Sequence, residues 1–302
     1  MDNVCHTLVG AAFGEAGLKR HTRFGNATLM IAANFPDVDV LAFATEIPAV
    51  ALRRGWTHGV LGQALLPLAL TAVMLGVDRI FRAQDDREPI RLRGLLLLSY
   101  VGVLSHVALD LLNNYGVRLL MPFSNRWFYG DTLFIIDPWL WLVLGFGIWL
   151  TRRRGASLAA GHALTVALIY VAVMGINARL SRDVVLNEWR VTRGGAPAHL
   201  MVGPLPLTPF RRQVIVDGGI NYETGTLEVL SRRLTLDAVV AKNDTDPRVA
   251  PARDAPHIRA FLIWSRFPFW TVEETSEGTR VSVSDLRFAG RGAPFVQSVM
   301  VR

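Results

Sequence analysis

Four long apolar segments constrain the fold of this chain more than any other feature. Each holds about twenty residues, which is the length that an α-helix needs to cross a lipid bilayer. The segments are Gly59–Val77, Gly94–Leu112, Thr132–Leu150 and Ser157–Ile176. The composition agrees, since 51% of the residues are hydrophobic and only 19% are charged. The sequence therefore predicts a mainly α integral membrane bundle, with about four long spans after an N-terminal helical hairpin.

The positive charge of the chain is carried almost entirely by arginine. The net charge is +7, and Lys19 and Lys242 are the only lysines. Arginines concentrate in the loop 78–93 and in the cluster 152–154, which the positive-inside rule places in the cytoplasm. Because basic residues do not alternate with aromatic ones along a stripe, we expect no nucleic-acid partner. The single cysteine excludes an internal disulfide and a cysteine-rich zinc site.

The composition changes after residue 179. Charges and turn residues become frequent, and short alternating runs predict β-strands. These runs are Gln213–Val216, Ala260–Trp264 and Arg280–Ser284, and the expected hairpin turns are Asn221–Gly225 and Glu277–Gly278. The sequence thus predicts a membrane-embedded helical domain over residues 1–179 and a small β-rich domain over residues 180–302, which the parity of the spans places outside the cytoplasm.

Ionisable residues inside or beside the apolar segments form the candidate site. His106 and Asp110 are four residues apart, so that they share one face of a helix, and such groups are costly within a bilayer unless they are functional. The arginine-based topology brings further histidines and aspartates to the same membrane level. The candidate set is His6, Asp37, Asp39, His58, His106, Asp110 and Asp137.

Imidazole and carboxylate ligands together suit zinc or another first-row divalent metal. Such an ion lowers the pKa of a bound water and promotes hydrolysis. Taken singly, the residues have simpler interpretations: His58 as a polar residue at a helix start, His106 with Asp110 as a packed pair, and Asp137 as a helix cap. Their shared membrane level favours a metal site.

Several ordered motifs carry a family resemblance. Cys5–Gly10, Asn34–Asp39, Arg54–His58, Ser105–Asp110 with Asn113, and Pro122–Ser124 resemble the YdjM family of LexA-regulated, membrane-bound, predicted metal-dependent hydrolases. The resemblance covers about residues 1–177 and implies a multi-pass protein of the bacterial inner membrane. Asn34 and Asn113 lie within these motifs and are expected to hydrogen-bond to the metal ligands.

The motifs are more distantly similar to the zinc-dependent phospholipase C and P1 nuclease group. That resemblance implies His6, Asp37 or Asp39, His58, His106 and Asp110 as ligands. The further histidine and second helical His/Glu pair of that group are absent from this sequence, so one or two zinc ions are expected instead of three.

The membrane level of the site indicates its substrate. The site is expected to open near the outer interface, where lipid headgroups lie, and Arg118 and Arg126 are predicted to bind phosphate. Trp127 and Tyr129 equally suit an aromatic belt. The expected activity is hydrolysis of a phospholipid or other lipid-linked phosphoester, with Asp39 as the base to test first and membrane lipids as the partners.

Two other classes of function remain open from the sequence. A metal transporter or sensor needs polar residues along a path through the bilayer, and His162 is the only deeper candidate. A structural or assembly protein would use the same polar cluster only for packing.

Overall fold

The computed structural model describes residues 1–44, 46–82, 90–155, 157–290 and 295–301. The chain forms two compact units. The first comprises Met1–Val38, Arg54–Asn177 and Pro204–Thr208, and the second comprises Asp39–Arg53, Ala178–Gly203 and Pro209–Arg302. The domain boundary predicted at residue 179 falls within a continuous helix, Leu158–Arg193, and stays a prediction.

The N-terminal region is helical. Its α-helices are α1 (Asn3–Glu15), α2 (Gly25–Ala32), α3 (Ala49–Leu52), α4 (Val60–Arg82), α5 (Leu92–Leu111), α6 (Pro138–Arg154) and α7 (Leu158–Arg193). Two 3-10 helices, Leu18–His21 and Phe35–Ala44, follow α1 and α2 respectively.

Three helices in the described part of the chain are long and apolar enough to cross a membrane. They are Val60–Ile80 within α4, α5, and α7. The pair formed by α2 and Phe35–Ala44 bends by 46° and would supply a fourth span if it is one broken segment. The prediction of helices long and apolar enough to span a membrane is therefore confirmed for three segments, and the number of about four spans stays a prediction.

The predicted span Thr132–Leu150 is wrong in its bounds. Helix α6 begins only at Pro138, because Asp137 acts as its N-cap and its Oδ1 accepts hydrogen bonds from the backbone N–H groups of Trp139 and Leu140 at 3.1 and 3.2 Å. Proline at the first helical position fits such a start. Helix α6 therefore has 17 residues, fewer than the predicted span.

Small residues let α2 pack closely against α5. A Cβ atom at Gly102 of α5 would collide with the Cβ of Ala32 and lie 2.9 Å from the backbone nitrogen of Ala33. Ala32, Leu95 and Val103 are buried in the same cluster. This contact fixes the backbone at the end of α2 against the middle of α5, where one of the candidate ligands lies.

The described part of the C-terminal region contains two antiparallel sheets, two short α-helices and the 3-10 helix Leu286–Phe288. The first sheet has the order β1 (Leu200–Leu205), β2 (Thr208–Asp217), β3 (Asn221–Glu228), β4 (Arg233–Ala241), and the second has the order β5 (Pro268–Thr275), β6 (Gly278–Asp285), β7 (Val296–Val301). Helices α8 (Val249–Arg253) and α9 (Pro256–Trp264) connect them in sequence. The predicted β-rich character of this region is confirmed.

Three of the five local predictions in this region are confirmed. Gln213–Val216 lies in β2, Arg280–Ser284 lies in β6, and Glu277–Gly278 lies at the hairpin between β5 and β6, where Glu277 is in the turn and Gly278 begins β6. Asn221–Gly225 was predicted as a turn but is the start of β3, and Ala260–Trp264 was predicted as a strand but belongs to α9. Buried residues three apart in α9 (Ile258, Phe261 and Trp264) show the helical spacing.

A buried ion pair links β6 to the chain that precedes β5. Asp285 and Arg287 are both fully buried and pair at 2.8 Å. The second carboxylate oxygen of Asp285 accepts hydrogen bonds from Ser265 Oγ at 2.8 Å and from the backbone of Phe267 at 3.1 Å. Burial alone would raise the pKa of Asp285, but Arg287 and these hydrogen bonds outweigh it and hold that pKa below its usual value.

Candidate metal centre

Four of the predicted ligands meet inside the first unit. Asp37, His58, His106 and Asp110 each offer one ligand atom, and these atoms all lie within 4.8 Å of one another. All four side chains are buried. Asp37 comes from the 3-10 helix after α2, His58 immediately precedes α4, and His106 and Asp110 lie one turn apart on α5.

The distances within this cluster fit the coordination of one small divalent cation. The Nε2 atoms of His58 and His106 are 3.1 Å apart, and they lie 3.3 and 3.5 Å from Asp110 Oδ2. Tetrahedral zinc with bonds of about 2.0–2.1 Å separates its ligand atoms by about 3.3 Å. Asp37 Oδ1, at 3.9 Å from His106 Nε2, lies slightly farther out.

The hydrogen bond behind His106 orients its ring for metal binding. His106 Nδ1 lies 2.7 Å from the carbonyl oxygen of Ala33. Since a carbonyl only accepts, Nδ1 carries the proton and Nε2 presents its lone pair to the cluster. The Nδ1 atom of His58 lies 2.9 Å from Thr57 Oγ1, and because a hydroxyl can donate or accept, this contact orients the ring without fixing its tautomer.

His6 borders the cluster without being one of the four grouped ligands. Its ring stacks on His106 with centroids 3.8 Å apart, and its Nε2 lies 3.3 Å from Asp110 Oδ1. The ring is fully buried, yet neither nitrogen has a hydrogen-bond partner among the described residues. Burial, with the neighbouring His106, lowers the pKa of His6 well below its ordinary value and keeps the imidazole neutral. Buried orphan nitrogens of this kind fit a site built to hold a cation.

The two oxygens of Asp110 face different groups. Oδ1 faces His6 and is also in contact with the amino group of Met1. Oδ2 faces His58, His106 and Arg54. All of these side chains therefore contact the carboxylate of Asp110. A charge inside an apolar helix is costly, and such a charge usually marks a functional site.

Arg54 is a site residue that the sequence reasoning did not single out. Its Nε lies 2.9 Å from Asp110 Oδ2, and its Nη1 donates a 2.9 Å hydrogen bond to Asn113 Oδ1. Its guanidinium also lies over the ring of Tyr115, 4.6 Å from the centroid. Arg54 stands at the start of the Arg54–His58 motif, which was the only indication of its role in the sequence. The local sequence does not distinguish a buried arginine from one at the surface.

The predicted amide residues occupy the surroundings of the cluster. Asn113 accepts the hydrogen bond from Arg54, and its Nδ2 lies 3.5 Å from Asp110 Oδ1. Asn34 donates to Thr7 Oγ1 at 2.9 Å, and its backbone carbonyl accepts from Asp37 N–H. Both amides therefore support elements that carry candidate ligands.

Two predicted aspartates have other partners. Asp39 belongs to the second unit, where its carboxylate pairs with Arg53 Nε at 3.3 Å, and its role as ligand or base stays a prediction. Asp137 caps α6, and its Oδ2 accepts a 3.0 Å hydrogen bond from the hydroxyl of Tyr170. The structure therefore shows Asp137 in the capping role and outside the group of four clustered ligands, and its metal-ligand role stays a prediction.

The two predicted phosphate-binding arginines differ in exposure. Arg118 is buried beneath Trp127, with its guanidinium 5.1 Å from the ring centroid, and its backbone N–H donates to the carbonyl of Arg54. Arg126 is exposed and lies over Phe128. Arg118 is therefore held on the same loop pair as Arg54, whereas Arg126 lies at the surface.

Comparisons with known proteins match the N-terminal region to one family. The model of the family described as YdjM inner membrane protein matches residues 1–179. The chain is also similar to the uncharacterized protein YfhP of Bacillus subtilis (strain 168), with 23% identity over 326 aligned residues that cover 100% of this chain and 91% of that protein. No solved structure matches the chain. Because the matched region covers more than half of the sequence and contains all four clustered ligands, the chain belongs to the YdjM inner membrane protein family.

Proposed function

We propose that this protein is a membrane-bound, metal-dependent hydrolase that cleaves phosphoesters of lipids or lipid-linked molecules. The buried cluster of two imidazoles and two carboxylates is the observation that carries the proposal. Structural packing alone would pair these groups with hydrogen-bond partners, whereas His6 lacks one among the described residues and His106 directs a lone pair at another imidazole nitrogen.

Asp37, His58, His106 and Asp110 would hold the cation, with His6 beside them. A divalent ion, which the ligand types suggest is zinc in one or two copies, would supply Lewis acidity and lower the pKa of a coordinated water. The protein's own contribution is orientation. Ala33 fixes the tautomer of His106, and Arg54 fixes the carboxylate of Asp110.

The charges around the cluster favour an anionic substrate. Arg54 and Arg118 are buried cations on adjacent loops, and a side chain at Gly55 would collide with the Arg118 guanidinium. Planar guanidinium groups bind phosphate oxygens in pairs. A phosphoester is therefore a better match to this environment than a neutral amide or a cation.

Exposed apolar side chains on the same loops favour a lipid-like substrate. Trp56 is 57% exposed and follows Arg54, while Phe123 is 77% exposed and follows Arg118. The backbone N–H of Val60 donates to the carbonyl of Met121 and ties the two loops together. Apolar residues exposed beside a polar site suit a substrate that enters from a membrane.

The identity of the general base is part of the proposal. Asp39 stays the base to test first, as expected from the sequence, and Asp37 is the competing candidate because its carboxylate lies in the ligand cluster. Asp39→Asn should lower kcat while leaving metal content unchanged, whereas Asp37→Asn should lower metal content as well. Loss of metal from Asp39→Asn, or unchanged kcat, would contradict this assignment.

The activity itself is tested with the purified full chain in detergent. Phosphatidylglycerol, phosphatidic acid and a polyprenyl diphosphate are incubated with the protein and zinc, and hydrolysis is followed by phosphorus NMR. We expect turnover of at least one of them by wild type and by His257→Ala, and none by His106→Ala. Turnover that survives His106→Ala would place the activity elsewhere. Zinc flux into vesicles without hydrolysis of any of these substrates would favour a transporter.

A further inference from the structure

A groove lies between α6 and α7, lined by other residues than the metal centre. A half-open groove of about 510 Å³ runs between these helices, a size typical of ligand pockets. Its walls are almost entirely apolar, and one end is polar. The apolar walls include Val143, Phe146, Leu150 and Val166, and the polar end is formed by Arg154 and His162. None of the four clustered metal ligands lines it.

The polar end carries a cation that the fold does not use. Of the three consecutive arginines, Arg152 pairs with Glu15 at 2.9 Å, and Arg153 lies over Trp149 at 5.2 Å. Arg154 and His162 line the groove, and neither makes a hydrogen bond, ion pair or ring contact within the described ranges. Both side chains are exposed. An arginine left without an internal partner at the mouth of an apolar groove is suited to binding an anion with an apolar tail.

We propose that this groove binds an anionic phospholipid, with one acyl chain along the apolar walls and the phosphate at Arg154 and His162. The guanidinium can donate two parallel hydrogen bonds to phosphate oxygens, and His162 adds a third donor. Basic pockets between membrane helices bind anionic headgroups in this manner. Since the family places the chain in a membrane, phospholipid is the abundant ligand that combines both chemistries.

The proposal does not depend on the hydrolase activity, and its test measures binding alone. The full chain in detergent is mixed with phosphatidylglycerol or phosphatidylcholine, and bound lipid is counted by native mass spectrometry. One interfacial arginine favours an anionic lipid by about fivefold. We therefore expect wild type to prefer phosphatidylglycerol by about that factor, and Arg154→Gln to lose the preference.

Two further variants distinguish lipid binding in this groove from nonspecific attraction of lipid to the protein surface. Arg153→Gln removes the same charge one residue away and should keep the preference, because Arg153 lies on Trp149. Val166→Trp should obstruct the groove and reduce binding of both lipids. Equal losses in Arg153→Gln and Arg154→Gln would overturn the proposal, as would unchanged binding of both lipids in Val166→Trp. Unfolding temperatures measured in parallel confirm that each variant is folded.

Discussion

Arg54 offers the most informative perturbation of the candidate centre. Its guanidinium contacts Asp110 Oδ2 at 2.9 Å and Asn113 Oδ1 at 2.9 Å, and all three residues are buried. Replacing it by methionine keeps most of the apolar stem but leaves the carboxylate of Asp110 with less positive charge nearby. The metal-free protein should therefore lose stability, and the loss should shrink when a cation is supplied.

The magnitude follows from the burial of the pair. Removing one partner of a buried ion pair costs about 3–5 kcal/mol. Because the amino group of Met1 also contacts Asp110, we expect the lower end, about 3 kcal/mol. For a chain of 302 residues, with an unfolding entropy of about 2.1 cal/mol/K per residue, this corresponds to a fall in unfolding temperature of about 5 °C.

The assay is thermal unfolding of the full chain in detergent, with chelator and then with zinc. Arg53→Met is the matched control, because Arg53 is the adjacent residue and its pair with Asp39 is partly exposed. A partly exposed pair contributes about 1 kcal/mol or less. Zinc should recover more of the loss in Arg54→Met than in Arg53→Met. Equal losses in the two variants, or no difference in their response to zinc, would refute the role assigned to Arg54.

Two further predictions concern the packing behind the centre and the second unit. Gly102→Ala should force α2 away from α5 and displace the Ala33 carbonyl that orients His106. Zinc binding measured by calorimetry should then weaken by about tenfold or more. Gly76→Ala is the control, because a Cβ atom at Gly76 meets open space, and it should bind zinc normally. Asp285→Asn should destabilise the C-terminal unit by about 3 kcal/mol or more. The pKa of Asp285 is lower in the folded protein than in the unfolded chain. Its contribution to stability is therefore fully present above the unfolded pKa of about 4 and is lost as the pH falls through the pKa in the folded state. The free energy of unfolding of wild type, measured by urea denaturation, should therefore fall below about pH 4. If Asp285→Asn shows the same fall, the acid dependence does not come from Asp285.

The sequence predicted the centre well where an ionisable residue lay in an apolar segment. His106 and Asp110 stood out because charges are expensive there, and topology placed His58 and Asp37 at the same level. Arg54 was not predicted, because a loop arginine carries no local sign that it will be buried against a carboxylate on another helix. Asp137 was proposed as a ligand, although the following proline already indicated a helix cap.

The two wrong secondary-structure predictions in the C-terminal region have a common physical origin. Ala260–Trp264 is a short apolar run, and periodicity over five residues does not separate a buried strand from a buried helix. Pro256 at the start of α9 was the missed signal. Asn221–Gly225 has turn-forming residues, yet pairing of β3 with strands on both sides overrides that local preference.

Metal analysis tests the central claim most directly. Wild type, His106→Ala and Asp110→Ala are purified as full chains in detergent, and their bound metals are quantified by inductively coupled plasma mass spectrometry, with His257→Ala as the control histidine variant. We expect one or two equivalents of a divalent metal in wild type and His257→Ala, and a loss of at least one equivalent in each of the two cluster variants. Equal metal content in all four proteins would contradict this expectation.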